Sequence, residues 1–268
     1  MKRNAAALRT AFASFMTGVT VVTSRTPNGT PIGFTANSFT SVSLDPPLLL
    51  VCPGNRLSSY EAFQSIEHFA VSILAEGQEA VSNRLASSKA DRFGPQDWQP
   101  GTAGMPLIDG RAAGFVCTVH NRVLAGDHMV LIGQVIDFDS SGAAGLGYGP
   151  DGYFALGQER RAQTPAPTPT KACALLDDGH NIYLTAQGNL PGVDISIDGS
   201  PLQGLTAHLA AQNIKADLGL VYALYNEESG ARKIVFRAHV SRALKGLLPT
   251  PIERATSSDP ALASLLQR

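Results

Sequence analysis

The chain has few of the residues that mark secreted, metal-binding or membrane-spanning proteins. It has three cysteines in 268 residues, and an odd number of widely separated cysteines is typical neither of a disulfide framework nor of a zinc site. No apolar run approaches the roughly 18 residues that a membrane-spanning helix needs. The sequence therefore predicts a cytoplasmic protein with reduced cysteines, no membrane segment and no bound metal.

Charge and phosphate-binding motifs are also scarce. Charged residues make up 16% of the chain, the formal net charge is −1, and no run of Lys or Arg forms a basic stripe, so nucleic-acid binding is not expected. The glycine-rich stretch 142–152 lacks the P-loop pattern, and no Rossmann fingerprint is found. No class of bound nucleotide can therefore be read from a glycine motif.

The hydrophobic fraction of 44% is sufficient for a globular core, and the length suggests two domains at about 150 residues each. Prolines 165, 167 and 169 alternate with Thr and Ala, a composition typical of a semi-extended linker. The predicted organisation is a domain over 1–158, a linker over 159–170 and a second domain over 171–268.

The N-terminus starts with Met1-Lys2-Arg3 and an alanine-rich stretch, which could suggest a targeting segment. However, apolar residues recur there at helical spacing and lead directly into a β-branched stretch. They are Leu8, Phe12, Phe15 and Met16. The pattern favours an amphipathic helix of the mature fold.

A strand-like stretch from Gly33 to Leu44 stops at two consecutive prolines, Pro46 and Pro47. With a strand period of two, its polar and apolar residues separate onto opposite faces. The polar face holds Thr35, Asn37, Ser41 and Ser43, and the apolar face holds Phe34, Ala36, Val42 and Leu44. The pattern predicts a strand, paired with Val19–Ser24 across an Asn28-Gly29 turn, that is either a polar ligand-binding strand or simply half-solvated.

Ser58 and Glu61 have capping-box spacing, which predicts a helix from Ser58 to about Ser65. Asn55, Arg56 and the Ser58-Ser59 pair stand at its N-terminus. Hydroxyls, a guanidinium and free helix N–H groups together suit a phosphate. An ordinary capped helix with a surface arginine fits the same residues.

Two further positions are candidates. The apolar runs 115–124 and 129–138 flank Ala125-Gly126-Asp127-His128, which predicts a hairpin with His128 at its tip. Arg92 lies in a long Pro/Gly-rich loop, and such loops are often functional. From pattern alone, both residues are equally well explained as solvent-exposed side chains.

Four segments resemble the flavin reductase-like family, and they occur in the family's order. They are TGVTVVT (17–23), TANSFTSVSLDPP (35–47), NRLSS (55–59) and GDH (126–128). The resemblance covers roughly residues 1–158 and implies a mainly β, FMN-binding split barrel with peripheral helices.

The resemblance also implies an NAD(P)H:flavin oxidoreductase that uses FMN or FAD with NADH or NADPH. It implies a homodimer that supplies reduced flavin to a separate monooxygenase. It places His128 beside the nicotinamide as the catalytic candidate and Arg92 near the phosphate or adenosine end of the flavin. The other implied flavin contacts are Thr35, Ala36, Asn37, Ser38, Ser41, Ser43, Asn55, Arg56, Ser58 and Ser59. The rival hypothesis is a flavin-binding redox sensor or carrier with little turnover, whose second domain senses a nucleotide or partner.

In the second domain, Leu190-Pro191-Gly192 resembles the start of a Nudix box, and the first acid of the box falls on Asp198. Ala207, Ala210 and Ala211 stand where the three carboxylates of the box helix belong. Mg²⁺ requires oxygen ligands that alanine does not supply. The resemblance therefore implies an α/β Nudix-like sandwich without hydrolase activity, and an unrelated α+β domain is the alternative.

Overall fold

The computed structural model describes residues 5–87, 92–93, 97–150, 152–163, 168–196, 198–227, 230–241 and 244–252. The chain divides into two compact units, Met1–Tyr153 and Phe154–Arg268. None of the helices in the described residues is long and apolar enough to cross a membrane.

The first unit is mainly β, as predicted. Its helices are α1 (Ala5–Ala13), α2 (Tyr60–Phe63) and α3 (Glu79–Ala86), with a 3₁₀ turn at Thr102–Gly104. Its strands are β1 (Thr17–Gly18), β2 (Thr20–Arg25), β3 (Pro31–Ala36), β4 (Thr40–Leu44), β5 (Pro47–Val51), β6 (His68–Ile73), β7 (Trp98–Pro100), β8 (Pro106–Ile108), β9 (Ala113–Ala125), β10 (His128–Ser140), β11 (Gly147–Gly149) and β12 (Gly152–Phe154).

Seven of these strands form one sheet in the order β3-β2-β6-β9-β10-β5-β4. Strands β3 and β4 are consecutive in the chain, yet they occupy opposite edges of this sheet. Ala36 and Thr40 are close enough in sequence that their Cα atoms lie at most about 14 Å apart, whereas a flat seven-stranded sheet is about 29 Å wide. The sheet must therefore curve until its edges approach each other, and the segment 37–39 bridges them.

The single long strand predicted for 33–44 is wrong in two respects. A bend at Asn37 separates β3 from β4, and a β-bulge between Ser41 and Ser43 interrupts the register of β4 with β5. Ser41 pairs with Leu49 and Ser43 with Leu48, so the two serines lie on opposite faces. A bulge inserts one extra residue, here Val42, and so reverses the alternation beyond it.

The core of this unit forms between the inner faces of its strands and α2. Phe34 and Ala36 are buried as predicted, and Phe34 contacts Phe63 edge to face at 5.2 Å between ring centroids. In contrast, Val42 is exposed and Leu44 is 93% exposed, so the apolar face predicted for this stretch is covered only in its first half.

The helix predicted at the N-terminus is present as α1, but it ends at Ala13, so Phe15 and Met16 lie beyond it. Leu8 and Phe12 in the helix are exposed, as are Phe15 and Met16 after it. Sequence periodicity correctly indicates the helix but extends its apolar stripe past the helix end. It does not indicate what covers that stripe.

The second unit is a further β-rich region. Its helices are α4 (Leu156–Gln163) and α5 (Pro201–Ala211), and its strands are β13 (Thr170–Asp177), β14 (Asn181–Leu184), β15 (Gly192–Ile195), β16 (Val221–Asn226), β17 (Arg232–His239) and β18 (Leu248–Pro251). The sheet order is β16-β17-β13-β14-β18, with β13 and β17 parallel and β15 paired antiparallel to β13.

The linker predicted at 159–170 starts inside α4 rather than in extended chain. This helix belongs to the second unit, where the Glu159 carboxylate accepts a hydrogen bond from the Val221 N–H. Residues 164–167 lie outside the described residues. Pro165 and Pro167 are among these residues, so the extended segment stays a prediction. The helix upstream of the prolines carries no such signal.

Candidate functional site

The hairpin tip is fastened to the chain that follows β5. The Asn55 N–H donates to the Asp127 carbonyl at 2.9 Å, and the Met129 N–H donates to the Pro53 carbonyl at 3.0 Å. Gly54 and His128 form an isolated antiparallel bridge between these bonds. The backbone therefore brings His128 beside Asn55 and Arg56, which are 72 or more residues away in sequence by their numbering.

His128 and Asp127 form a side-chain pair at this tip. His128 Nδ1 lies 2.8 Å from Asp127 Oδ1, and the His128 side chain is 51% exposed. The hydrogen bond from His128 and the charge of His128 lower the pKa of the Asp127 carboxyl, with a smaller contribution from the charge of Arg56. The carboxylate is therefore ionised at neutral pH, beside an imidazole that remains accessible to a ligand.

Ser38 lies in the segment 37–39 between β3 and β4 and is hydrogen-bonded to the chain that follows β5. Its Oγ accepts a hydrogen bond from the Cys52 N–H at 2.9 Å. Because the hydroxyl oxygen is used as an acceptor, its proton is available for a ligand. Asn37, next to Ser38, is exposed. Burial raises the pKa of the neighbouring Cys52 thiol, which is therefore uncharged at neutral pH.

The predicted capped helix is shorter than expected. It comprises Tyr60–Phe63, its N-cap is Ser59 rather than Ser58, and no side chain caps it. Asn55, Arg56 and Ser58 are exposed, so these three predicted phosphate contacts can reach a ligand. The capping-box prediction fails because Ser58 lies outside the helix and cannot reach its third N–H.

Ser59 is in an unusual environment. Its Oγ is buried and has no hydrogen-bond partner among the described residues. An unsatisfied buried hydroxyl costs about 1–3 kcal/mol. A phosphate oxygen within reach of this hydroxyl would supply the missing partner.

Thr35 is held by residues that the sequence analysis did not identify. Its hydroxyl donates to the Ser82 carbonyl of α3 at 2.6 Å, and Ser82 Oγ in turn accepts from the Tyr153 hydroxyl at 2.8 Å. Thr35 therefore offers a ligand an acceptor rather than a donor. Ser82 and Tyr153 lie far from the recognised motifs, so only the tertiary structure links them to Thr35.

Arg92 is placed at the same strand. Its Nη1 donates to the Gly33 carbonyl at 3.2 Å, and its own carbonyl accepts from Arg84 Nε at 3.2 Å. A Cβ at Gly33 would lie 2.9 Å from the Phe93 ring, so a glycine is needed for this loop to pack on β3. Asp91, which completes the Asp-Arg-Phe segment, lies outside the described residues.

The predicted residues therefore fall into four groups, of which one is the Ser58-Ser59 pair just before α2. The first of the other three contains Ser38, Asn55 and His128, whose segments are connected by hydrogen bonds around residues 52–55 and 127–128, with Asn37 and Arg56 next to them in sequence. The second contains Thr35 and Arg92 on β3, where Ala36 contributes only its backbone because its side chain is buried. The third contains Ser41 and Ser43 on β4, where the bulge prevents them from sharing a face.

These groups suit a flavin. An accessible guanidinium, an amide and serine hydroxyls are the donors that a ribityl phosphate requires, and the buried orphan hydroxyl of Ser59 is a donor without a protein acceptor. No group of His, Cys, Asp and Glu suitable for a metal is found among the described residues. The donor set is therefore suited to an organic phosphate.

Replacing Ser59 by alanine is expected to have opposite effects on the free protein and on its complex. The free energy of unfolding should rise by about 1 kcal/mol because an unsatisfied buried hydroxyl is removed. Flavin affinity should fall by about 1–3 kcal/mol for Ser58→Ala and Ser59→Ala combined, if two phosphate hydrogen bonds are lost. Chemical denaturation and fluorescence titration with FMN measure the two effects. Unchanged flavin affinity in the double variant would exclude these serines as phosphate ligands.

Comparison with known proteins gives a consistent result over the first unit. The family model described as "Flavin reductase like domain" matches residues 12–157. A "probable flavin reductase" of Rhizobium meliloti is 39% identical over 98% of this chain and 87% of that protein. The reductase component of the flavin-dependent trigonelline monooxygenase of Acinetobacter baylyi is 40% identical over 97% of this chain and 86% of that protein.

A solved structure adds ligand information for a relative. The NADH:FAD oxidoreductase of Streptomyces globisporus, in complex with NAD and FAD fragments, superposes with a TM-score of 0.54 and is 37% identical. The match covers 57% of this chain and 93% of that chain. It is confined to about the length of the first unit, whereas the two relatives above align over nearly the whole chain.

Proposed function

The chain belongs to the flavin reductase-like family and is an NAD(P)H-dependent flavin reductase, and from this premise we propose which residues hold its two substrates. The single observation that carries the assignment is the match of the family model over 12–157. It is supported by a site in which an exposed imidazole and a cluster of phosphate-binding side chains are joined by backbone hydrogen bonds. Reduced flavin is the product that a partner monooxygenase consumes.

The flavin, when bound, accepts the hydride that the reduced nicotinamide supplies. The protein needs little acid–base chemistry for this step and acts mainly by holding two ring systems in register. Ser38 is positioned to donate its hydroxyl proton to the flavin, and Thr35 to accept from it. Asn55, Arg56 and Ser58 hold the phosphate, and Ser59 joins them if its buried hydroxyl rotates toward the ligand.

His128 is assigned to the nicotinamide. Its ring is half exposed and adjoins Asn55 and Arg56 through the hairpin bonds, so it can contact a substrate that lies over the bound flavin. We assign it to the carboxamide, where an imidazole fixes the orientation of the ring that gives up the hydride. It is not assigned as a proton donor.

Purified full-length protein assayed at 340 nm with NADH or NADPH against FMN or FAD tests this function. Rapid NADH oxidation that scales with added free flavin is expected, with FMN as the preferred flavin. The rival function, a flavin-binding sensor or carrier, predicts bound flavin without this turnover. Folded protein that consumes no nicotinamide with either flavin would overturn the reductase assignment.

We further propose that two copies of the chain associate through the apolar end of the sheet near β4. Leu44 is 93% exposed and Phe138 of β10 is 71% exposed. Strand β10 pairs Gln134 with Leu48 of β5, and continuing that register places Ile136 level with the Asp45-Pro46 turn beside Leu44. Such contiguous exposed apolar side chains favour an interface.

Leu44→Asp is expected to convert this dimer to monomers, because a buried unpaired carboxylate destabilises an apolar interface by several kcal/mol. Light scattering after size-exclusion chromatography measures the mass. Leu202→Asp, at a partly exposed leucine of α5 in the second unit, is the control and should leave the mass unchanged. A wild-type protein that is monomeric at micromolar concentration would contradict the proposal.

For the second unit we propose a Nudix-like domain without hydrolase activity. Supporting this, α5 contains the three alanines at the carboxylate positions and packs on the mixed sheet, with Leu205 and Leu209 buried. The sequence predicts strands around the box at 172–176, 181–186, 218–225 and 233–240, and β13, β14, β16 and β17 overlap these ranges. The helical part of the box falls on 206–214, whereas α5 ends at Ala211, and Asn213 adopts a positive φ of 59°.

A cavity of about 380 Å³ in this unit adjoins the box position Asp198. Its lining includes the polar side chains of Glu159, Ser196 and Arg232 and the apolar side chains of Ile195, Val221 and Phe236. That volume is within the range of small-molecule sites and supports ligand binding in place of hydrolysis. Mg²⁺-dependent release of phosphate products from ADP-ribose by the full-length chain would contradict the proposed lack of hydrolase activity.

Cytoplasmic location stays a prediction from the cysteine content. Cys117 and Cys173 are buried and Cys52 is half-buried, and all three are free thiols.

A further inference from the structure

The side chain of Asp127 and the missing side chain of Gly54 both act on the imidazole of His128. Asp127 Oδ1 lies 2.8 Å from Nδ1. A Cβ at residue 54 would lie 3.2 Å from Nε2, 3.4 Å from Cδ2 and 3.7 Å from Cε1, which places it over the face of the ring rather than in the ring plane. One neighbour therefore holds Nδ1, and the other lets the ring lie against the chain at residue 54.

The protonation state of Asp127 determines which ring nitrogen carries hydrogen. An ionised carboxylate can only accept hydrogen bonds, and the pKa of Asp127 is lowered mainly by its bond with His128. Nδ1 must therefore carry the hydrogen that is donated to Asp127. In a neutral imidazole the second nitrogen, Nε2, then has a lone pair and can only accept.

We propose that Asp127 and Gly54 are positioning residues that present His128 to the reduced nicotinamide as a hydrogen-bond acceptor. Asp127 holds the neutral Nδ1–H tautomer, and Gly54 lets the imidazole lie against the chain, so that Nε2 can accept from the carboxamide NH₂ group in the plane of the ring. This inference rests on the proposed function, since it deepens the role given there to His128. It adds that the carboxamide is bound through its amide nitrogen rather than its oxygen.

The backbone geometry supports this role independently of the Asp127 side chain. The Asp127 carbonyl accepts from the Asn55 N–H, and the Met129 N–H donates to Pro53, so the hairpin tip stays in place when only the carboxylate changes. Gly54 has no positive φ that would itself require glycine. The absence of a Cβ there therefore matters chiefly because the face of the imidazole lies over residue 54.

The first test observes the tautomer without turnover. In ¹⁵N-labelled wild-type protein at pH 8, two-bond ¹H–¹⁵N correlation spectra are expected to show Nδ1 of His128 protonated and Nε2 unprotonated, with His128→Ala used to assign the signals. In Asp127→Asn, the amide can either accept from Nδ1–H or donate to Nδ1. A shift of the population toward the Nε2–H form is therefore expected.

The second test is kinetic. Asp127→Asn is expected to raise the Michaelis constant for NADH about three- to tenfold, with flavin affinity nearly unchanged, because an acceptor is lost without displacing the flavin. Gly54→Ala should have the same selective effect, because its methyl group would push the imidazole away from its place over residue 54. Asp109→Asn, at an exposed aspartate in the turn before β9, is the matched control and should behave as wild type.

Two results would overturn the inference. One is a wild-type spectrum with Nε2 protonated at pH 8. The other is Asp127→Asn and Gly54→Ala variants that both retain the wild-type Michaelis constant for NADH. Wild-type protein without any NADH:flavin activity would instead overturn the proposed function, and the spectra, which require no turnover, separate that failure from failure of the inference.

Discussion

Replacing His128 by alanine is expected to raise the Michaelis constant for NADH about tenfold, because a single hydrogen bond of roughly 1.4 kcal/mol corresponds to that factor. His128 lies at the hairpin tip with its ring half exposed, and its loss removes the contact that orients the nicotinamide carboxamide. Hydride transfer depends on the alignment of the two rings, so kcat is also expected to fall. Flavin affinity should change little, since the proposed phosphate ligands are on other residues.

Steady-state kinetics at saturating flavin, together with a fluorescence titration of FMN, separate these effects. His120→Ala is the matched control because His120 is an exposed histidine of the same strand pair, on β9. A His128→Ala variant with wild-type NADH kinetics would show that the imidazole has no role in NADH binding or hydride transfer. If the variant instead lost flavin binding, His128 would have to be reassigned from a nicotinamide contact to a flavin contact.

Replacing Phe63 by alanine is expected to lower the free energy of unfolding of the first unit by about 3–5 kcal/mol. Phe63 is fully buried and contacts Phe34 edge to face. Its N–H also donates to the Ser59 carbonyl at 3.1 Å, and its carbonyl accepts from Arg122 Nε at 3.3 Å. The truncation therefore leaves a large cavity under the helix that bears Ser59, and flavin affinity should fall with stability.

Chemical denaturation followed by the fluorescence of Trp98 reports on this unit alone, because Trp98 is the one tryptophan in the chain. Phe63→Leu is the control and should cost less than about 1.5 kcal/mol, since it keeps most of the apolar volume. A loss below about 1 kcal/mol for Phe63→Ala would show that the core collapses around the missing ring.

The sequence predicts some elements of this site well because their signals are local. Apolar runs around Gly126-Asp127 indicate the β9–β10 hairpin, and the structure confirms it with His128 paired to Ala125. The β-branched stretch and the Asn28-Gly29 turn likewise predict the β2–β3 pair, in which Val22 faces Phe34. In these cases the pattern and the turn are within a few residues of each other.

Predictions that extended a local pattern too far failed for identifiable reasons. Strict alternation could not anticipate the bend at Asn37 or the bulge at Val42, because both depend on the sheet curving until its edges meet. The capping box at Ser58 failed because the helix begins only at Tyr60. Spacing alone cannot show whether a serine lies within reach of a helix terminus.

The sequence by itself determined the family, the mainly β character of the first unit and the flavin and nicotinamide chemistry, because these follow from contiguous motifs of defined residue type. Only the tertiary structure decided which motif residues act together. Hydrogen bonds between residues far apart in sequence place Asn55 beside His128 and link Thr35 to Ser82, which is bonded in turn to Tyr153. Packing alone buries the Ser59 hydroxyl. Such contacts arise from packing of the whole sheet, which no local spacing encodes.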